Sequence, residues 1–282
     1  MINRCEEVRN LMKLSPQKVI RKAGDTLVVC NDLDILYLRF AEAIVQEIQQ
    51  NNEREKPSRF IFPIGPTGQY PLLAEFLNTN EIQLDECWFF FMDEYCDKNG
   101  FALNRNHPLS FKGIADNIFF KLLDDDLGLN MNHVFFPDEN NISKLKSIIT
   151  KVGGIDVCYG GIGIHGHVAF NEPENGVNTS DPRKVALNNF TITINSIRAE
   201  VGGNLETFPN EAYTLGMNQI LKAKKIRLYC RNGTPYDWAN TVLRIALLAN
   251  PGDDYPVTYI RDHPDYAITT DWDTLRTPKN II

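Results

Sequence analysis

Four short apolar runs, spread along the chain, constrain the fold more than any other feature of the sequence. They lie at residues 59–64, 87–92, 155–159 and 226–230. None alternates strictly between apolar and polar residues, which is typical of strands that are covered on both faces. Helix-like sequence separates the runs, as at residues 32–50, where apolar side chains recur about every 3.6 residues. This order predicts an α/β fold: a doubly wound, mostly parallel, Rossmann-like sheet with helices on both faces.

The loops behind the four runs concentrate glycines and ionisable groups. In chain order they read "GPTGQYP", "DEYCD", "GGIGIHGHVAFNEP" and "RNGTP". Because ligands of open α/β sheets bind outside the carboxyl ends of the strands, we expect these four loops to form one site. No linker-like stretch divides the chain, which predicts a single domain over residues 1–282. Residues 188–209 fit a strand and a helix equally well.

Charge and composition narrow the class of partner. The formal net charge is -7, and the basic residues form no cluster, which argues against a nucleic-acid surface and favours a small-molecule substrate. The first residues lack the apolar centre of a signal peptide, and no apolar stretch approaches the roughly twenty residues that span a bilayer. We therefore expect a cytoplasmic protein that does not bind membranes. Its six cysteines are far apart and are expected to be free thiols.

The loop at residues 65–71 has the composition of an anion-binding turn. Thr67 and Gly68 precede helix-like sequence, so backbone amides, a hydroxyl and the positive end of a helix dipole would face the same space. These groups suit a phosphate. The alternative is an ordinary turn that places Pro71 at the first position of the helix.

Two acidic residues, Asp93 and Glu94, follow the second apolar run directly. At least one of these carboxylates is expected to face the crevice. Apolar neighbours would raise its pKa and make it a better proton acceptor near neutral pH. The alternative is a pair of acidic residues that only cap a turn.

The third loop contains His165, His167 and Glu172. If Gly166 is extended, both imidazoles point to one side, and a histidine held by a carboxylate can shuttle protons. Three such ligands also allow a zinc site, but no further residue has the spacing to complete the shell, so we expect no metal. A third interpretation is that the histidines only form hydrogen bonds within the loop.

Several motifs, taken together and in order, resemble one family. They are "PTGQYP", "MDEY", "HPLSF", "NIFF", "GGIGIHGHVAFNEP" and "AYTLGMNQILKA". Their order and sequence resemble the glucosamine-6-phosphate deaminase (isomerase) family, which is related to the 6-phosphogluconolactonases. The resemblance covers most of the chain, and "MDEY" and "HVAFNEP" favour the deaminases over the lactonases.

The resemblance implies a reaction and roles for particular residues. Asp93 would move a proton at C2 of an open-chain amino sugar, which turns an aldose into a ketose as the amine leaves. His167 would open the pyranose ring by proton transfer at the ring oxygen, and Glu172 would orient it. No metal or organic cofactor would be needed. Residues that would bind the sugar phosphate are Thr67, Gly68, Gln69, Gly161, Arg183 and Arg231.

The chain departs from the family pattern beside the proposed shuttle. His165 stands where the family has an aspartate, so His167 would lose one carboxylate that raises its basicity. A protonated His165 would lower the pKa of His167 further, which predicts activity that falls towards low pH.

The expected phosphate site departs from the pattern as well. Gln69 and Tyr70 replace a glycine and a threonine, and their side chains are expected to project into the space for phosphate oxygens. Arg183 matches the family's arginine, whereas Val185 takes the place of a lysine. A second lysine is absent from "RNGTPYD" unless Arg231 substitutes for it.

The sequence therefore predicts an amino-sugar phosphate isomerase and deaminase whose sugar is not fixed. One alternative is a sugar-phosphate-binding protein of the same fold with weakened catalysis. The other is a sugar lactonase. A homo-oligomer is compatible with all three.

Overall fold

The structure is a computed structural model that describes residues 3–232 and 238–282. Its centre is a seven-stranded sheet in the order β1-β10-β9-β6-β2-β3-β5, with every neighbouring pair parallel. The strands of this sheet are β1 (Leu27–Cys30), β2 (Ser58–Phe62), β3 (Cys87–Phe91), β5 (Val134–Phe135), β6 (Val157–Gly161), β9 (Lys225–Tyr229) and β10 (Tyr266–Asp271). A smaller antiparallel sheet contains β4 (Asp93–Tyr95), β8 (Glu211–Thr214) and β7 (Arg183–Ala186).

Helices occupy most of the sequence between the strands. They are α1 (Arg4–Met12), α2 (Pro16–Ala23), α3 (Leu33–Glu53), α4 (Gln69–Thr79), α5 (Phe111–Ile118), α6 (Ile142–Lys151), α7 (Asn189–Arg198), α8 (Met217–Leu221) and α9 (Ala239–Leu248). The predicted α/β fold is confirmed. The four apolar runs form β2, β3, β6 and β9, and the helix predicted at residues 32–50 is α3, with Asp32 as its cap.

Both faces of the large sheet are buried, as the lack of strict alternation predicts. On β2, Phe60 and Phe62 belong to the hydrophobic cluster on one side of the sheet, whereas Ile61 belongs to the cluster on the other side. Successive side chains of a strand point to opposite faces, so two hydrophobic layers require apolar residues at every position.

The small antiparallel sheet and α7 were not predicted. β3 ends at Phe91, and after Met92 the chain pairs with β8 as β4. Residues 189–198 of the ambiguous segment form α7, and the Asn188 side chain caps its first turn. These elements place one more layer over the carboxyl ends of the parallel strands. All six cysteines are free thiols.

Candidate active site

A cavity of about 450 Å³ opens at the carboxyl ends of the central strands. Residues from all four predicted loops line it, and residues 233–237 of the fourth loop lie outside the described part of the chain. Polar side chains on its wall come from Thr67, Asp93, Tyr95, His167, Asn195, Arg198 and Arg231. Aromatic side chains cover much of the rest, including Phe111, Phe170, Phe208, Tyr229 and Trp238. Four loops distant in sequence thus meet in one crevice.

Asp93 and Glu94 point in different directions and have different surroundings. Asp93 lines the cavity, and burial raises its pKa well above the usual value, with a further rise from the charge of Glu94. Glu94 accepts hydrogen bonds from the Ser110 hydroxyl at 3.0 Å and from three backbone N–H groups. Glu94 therefore holds the loop before α5, and Asp93 is the carboxylate of the pair that lines the cavity.

The expectation for the anion loop is wrong in its details. Helix α4 begins at Gln69, two residues before Pro71. The Gln69 amide donates to the carbonyl oxygen of Pro66 at 2.8 Å, and the Tyr70 hydroxyl donates to the carbonyl oxygen of Pro63 at 2.5 Å. Both side chains are fully buried and lie outside the cavity wall. Gln69 and Tyr70 therefore form hydrogen bonds with backbone carbonyl groups and do not occupy the cavity.

The loop itself is packed against an aromatic ring. A Cβ atom on Gly68 would lie 2.4 Å from the ring of Tyr37, so only glycine allows this contact. Thr67 lines the cavity, whereas Gly68 does not. The ring of Tyr37 therefore packs against the loop at Gly68 and supports the loop backbone.

Two arginines on the cavity wall, Arg198 and Arg231, give the cavity positive charge. The guanidinium carbon of Arg231 lies 5.7 Å from the ring centre of Tyr37, and that of Arg198 lies 5.1 Å from the ring centre of Trp238. Burial raises the pKa of the Tyr37 phenol, and the charges of Arg231 and Arg198 both act against that rise. Both cations are thus near the same phenol. Arg198 was not predicted because it lies in the segment that fitted a strand and a helix equally.

Arg183 does not reach the cavity. It forms an ion pair with Glu174 and donates to Asn171 Oδ1 at 2.9 Å. Its side chain lies in a separate surface depression of about 320 Å³ that Glu172 also lines. The structure does not bring Arg183 to the cavity, because Glu174 and Asn171 hold its side chain elsewhere. Gly161, in contrast, lines the cavity.

The histidine loop brings the side chains of His165, His167 and Glu172 together. His167 lines the cavity, and its Nδ1 lies 3.4 Å from Nδ1 of His165. On the far side of the His165 ring, Nε2 lies 3.8 Å from Oε1 of Glu172. Glu172 therefore lies nearer to His165 than to His167, although ligand atoms of all three residues lie within 4.8 Å of one another. The other oxygen of Glu172 accepts from the backbone N–H of Asn188 at 2.6 Å.

His167 is held close to the backbone of its own loop. A Cβ atom on Gly163 would lie 1.8 Å from His167 Nε2, so a side chain at position 163 would displace the imidazole. Burial, and to a smaller extent the charges of His165 and Arg198, lower the pKa of His167 to about 3. His167 is neutral throughout the physiological pH range.

Within residues 3–232 and 238–282, the same three residues form the cluster that could hold a metal ion. Ligand atoms of His165, His167 and Glu172 lie within 4.8 Å of one another. Two ligand atoms on one zinc ion are at most about 4.2 Å apart, since each lies about 2.1 Å from the metal. An ion would thus draw the side chains together, and the absence of a metal stays a prediction.

Comparisons with known proteins identify the family. A glucosamine-6-phosphate deaminase of Thermoanaerobacter pseudethanolicus is 30% identical over 234 residues, which are 80% of this chain and 86% of the relative. That of Caenorhabditis elegans is 32% identical over 67% of this chain and 69% of its own length. The chain belongs to the glucosamine-6-phosphate deaminase family. The resemblance inferred from the motifs, and with it the prediction of an enzyme, is confirmed. No family model matches the chain.

Solved structures agree with the fold of this family. A monomeric glucosamine-6-phosphate deaminase superposes with a TM-score of 0.77 at 21% identity, covering 89% of this chain and 98% of its own. A 6-phosphogluconolactonase from Trypanosoma cruzi superposes with a TM-score of 0.63 at 17% identity, covering 89% and 96%. Among the described residues, no helix is both long and apolar enough to cross a membrane.

Proposed function

We propose that this member of the deaminase family converts an amino-sugar 6-phosphate to a ketose phosphate with loss of ammonia. The substrate is glucosamine 6-phosphate or galactosamine 6-phosphate. The observation that carries this proposal is that Asp93 and His167 line the same cavity, whose volume of about 450 Å³ suits a small ligand.

Asp93 is the base that removes the proton from C2 of the open-chain sugar. Its raised pKa makes it a stronger proton acceptor than an exposed aspartate, and its apolar surroundings exclude water. Glu94 does not compete for this role because its oxygens already accept four hydrogen bonds.

His167 acts on the oxygen atoms of the sugar at the same end of the cavity. A neutral imidazole can donate a proton or a hydrogen bond through one nitrogen while the other nitrogen accepts. Its low pKa keeps this neutral form available at physiological pH. His165, whose Nδ1 lies 3.4 Å from Nδ1 of His167, holds its ring.

The phosphate binds between Thr67, Arg198 and Arg231, which also line the cavity. A hydroxyl and two guanidinium groups provide charge-assisted hydrogen bonds, which are stronger than neutral ones. The aromatic rings of Tyr37 and Trp238 support the two arginines. This arrangement supplies positive charge without the two lysines that the family pattern contains.

The test is an ammonia-release assay on purified protein with both amino-sugar phosphates in parallel, together with detection of the ketose product. Turnover of either sugar supports the proposal and identifies the substrate. If neither sugar reacts at any concentration, and neither raises the melting temperature, the proposal fails.

A second candidate function is favoured by one observation, the contact of Glu172 with His165 instead of His167. A protein with this rearranged shuttle could bind the sugar phosphate without changing it. That function predicts a rise in melting temperature with each sugar phosphate but no ammonia. A lactonase would instead release acid from 6-phosphogluconolactone, which the same protein sample can test.

We also propose that the protein acts in the cytoplasm on a small molecule rather than on nucleic acid. The net charge of -7 would repel a polyanion, and six free cysteines suit a reducing compartment. Homo-oligomer formation stays a prediction that sedimentation analysis would test.

A further inference from the structure

Asn188 connects the cap of α7 to the histidine pair. Its side-chain Oδ1 accepts a hydrogen bond from the backbone N–H of Thr191 at 3.0 Å, which is the usual contact of a helix N-cap. Its side-chain amide nitrogen lies 2.6 Å from Nε2 of His165. One residue thus makes both contacts with opposite ends of the same amide group.

The cap contact fixes which end of the amide faces His165. A backbone N–H can only donate, so the group opposite Thr191 N–H must be the oxygen of Asn188. A flipped amide would place two donors against each other. The NH₂ group of Asn188 therefore points at His165, and this assignment does not depend on any histidine tautomer.

An amide NH₂ group can only donate, so Nε2 of His165 must accept and carries no proton. The hydroxyl of Thr191, 3.3 Å from the same nitrogen, can donate to it as well. Glu172 Oε1 would favour a proton on this nitrogen, but at 3.8 Å it lies beyond hydrogen-bond distance. Neutral His165 therefore carries its proton on Nδ1.

The proton on His165 then determines the one on His167. The two Nδ1 atoms lie 3.4 Å apart, and His165 supplies the proton between them, so His167 Nδ1 accepts. Neutral His167 must carry its own proton on Nε2. Since Nδ1 faces His165, Nε2 is the other nitrogen, and it lies beside Gly163, which lines the cavity together with His167.

We infer that Asn188 is a positioning residue that fixes the tautomers of the histidine pair, so that His167 presents an N–H donor to the sugar rather than a lone pair. This inference rests on the proposed function for its chemical meaning. A carboxylate at position 165 would have the reverse effect, because it could only accept and would draw the proton of His167 to Nδ1.

The donor suits the step in which Asp93 removes the proton from C2. The C2–H electron pair forms the C1=C2 bond, the π electrons of the C1 carbonyl move to O1, and the proton goes to Asp93. Negative charge then develops on O1, where the His167 N–H can stabilise it by a hydrogen bond. The imidazole gives up no proton in this step, so it remains neutral.

The test is ¹⁵N NMR of the ligand-free protein labelled at histidine, since the ring nitrogen shifts distinguish the two tautomers. We expect protons on Nδ1 of His165 and on Nε2 of His167. In Asn188→Asp, the new carboxylate can still cap α7 but accepts at His165, so the proton of His165 should move to Nε2. In His165→Asp, the proton of His167 should move to Nδ1.

The chain offers a matched control outside the cavity. Asn130 caps a short helical turn by accepting from Asn132 N–H at 3.0 Å, and its amide nitrogen lies 3.2 Å from Nε2 of His133. Asn130→Asp should change the signals of His133 and leave turnover unchanged. Asn188→Ser keeps a capping side chain without the amide, so it shows whether loss of the amide contact with His165 alone matters.

Two results would overturn the inference: a proton on Nδ1 of His167 in the unchanged protein, or the same tautomers in Asn188→Asp. An incorrect tautomer costs catalytic triads about 10⁴-fold, so we expect kcat of Asn188→Asp to fall by about 10²-fold or more while KM changes little. The spectra need no substrate. Failure of the proposed reaction would leave the tautomer result intact, and the reverse also holds.

Discussion

The two ends of the cavity differ in how they hold their charged groups. At the reacting end, Asp93 and His167 are kept from water, and burial is the main cause of both pKa shifts. At the other end, Arg198 and Arg231 rest on aromatic rings. A low-dielectric site makes interactions with a buried ionisable group strong, whereas a cation–π contact contributes about 0.5–2 kcal/mol. We therefore expect substitutions of Asp93 and His167 to have larger effects than substitutions of the two arginines.

The largest effect is expected at the reacting end, from Asp93→Asn. Loss of the base should lower kcat by about 10³-fold. The melting temperature should stay the same or rise, because the buried negative charge is destabilising, as its raised pKa indicates. The exposed residue Asp126 provides the control Asp126→Asn, measured in the ammonia-release assay and by thermal unfolding. An active Asp93→Asn enzyme would contradict the assignment of the base.

At the phosphate end, Arg198→Gln and Arg231→Gln should each raise KM by about 10- to 100-fold, because a charge-assisted hydrogen bond contributes about 1.5–3 kcal/mol. We expect little change in kcat, since the phosphate is remote from C1 and C2. Arg183→Gln is the matched control, because Arg183 lies outside the cavity. If Arg183→Gln raised KM more than the other two variants, the assignment of the phosphate site to Arg198 and Arg231 would be contradicted.

The pH dependence of activity separates the two groups at the reacting end. Because Asp93 must be ionised to act as a base, kcat/KM should fall as the pH drops through its raised pKa. His167 stays neutral until about pH 3 and adds no decline above that value. Initial rates measured across the acid range provide the test. A profile that is flat down to the ordinary aspartate pKa of 3.8 would argue against Asp93 as the base.

The pH dependence of stability isolates His167. Its pKa is about 3 in the folded protein and 6.5 as the ordinary value, so below pH 6.5 the unfolded chain binds a proton that the folded protein does not. Stability should thus fall from pH 6.5 towards pH 3, by up to about 1.4 kcal/mol per pH unit from this group. Urea unfolding of His167→Gln beside the unchanged protein should show a shallower decline. Equal slopes would exclude this origin.

The smallest effect is expected from metal removal. The proposed steps use Asp93 and His167 alone, so treatment with a chelator should leave kcat unchanged. A loss of activity that zinc restores would instead show that His165, His167 and Glu172 hold an ion. This result would indicate that the reaction depends on metal catalysis rather than on proton transfer by Asp93 and His167 alone.

The sequence predicted strands that are buried on both faces. It missed elements whose structure depends on contacts with distant parts of the chain. The four apolar runs formed strands because both of their faces are covered. Strand β10 was missed because its sequence, "YAITTD", is partly polar. Helix α7 was ambiguous because "FTITI" is rich in residues that favour strands, and the Asn188 cap helps to decide the outcome.

In the candidate site, the positions of the motifs could be predicted from the sequence, whereas the directions of several side chains could not. Motifs located Asp93 and His167 on the cavity wall, since each directly follows a strand or lies in its loop. The directions of Gln69 and Tyr70 could not be predicted, because they depend on carbonyl groups inside the fold. Nor could the sequence show that Glu172 meets His165, since a carboxylate five residues away can approach either histidine.

The small antiparallel sheet positions both Asp93 and the segment that leads to Asn188. Thr214 of β8 pairs with Asp93 on one side and with Arg183 on the other, and β7 leads through Leu187 to Asn188. A slip of one residue between β7 and β8 would turn every side chain of β7 to the opposite face and shift Asn188 along the strand. Insertions in β7 should therefore be rarer in evolution than insertions in the exposed turn at residues 202–206, because the base and the residue beside the imidazoles are kept in register by the same ladder.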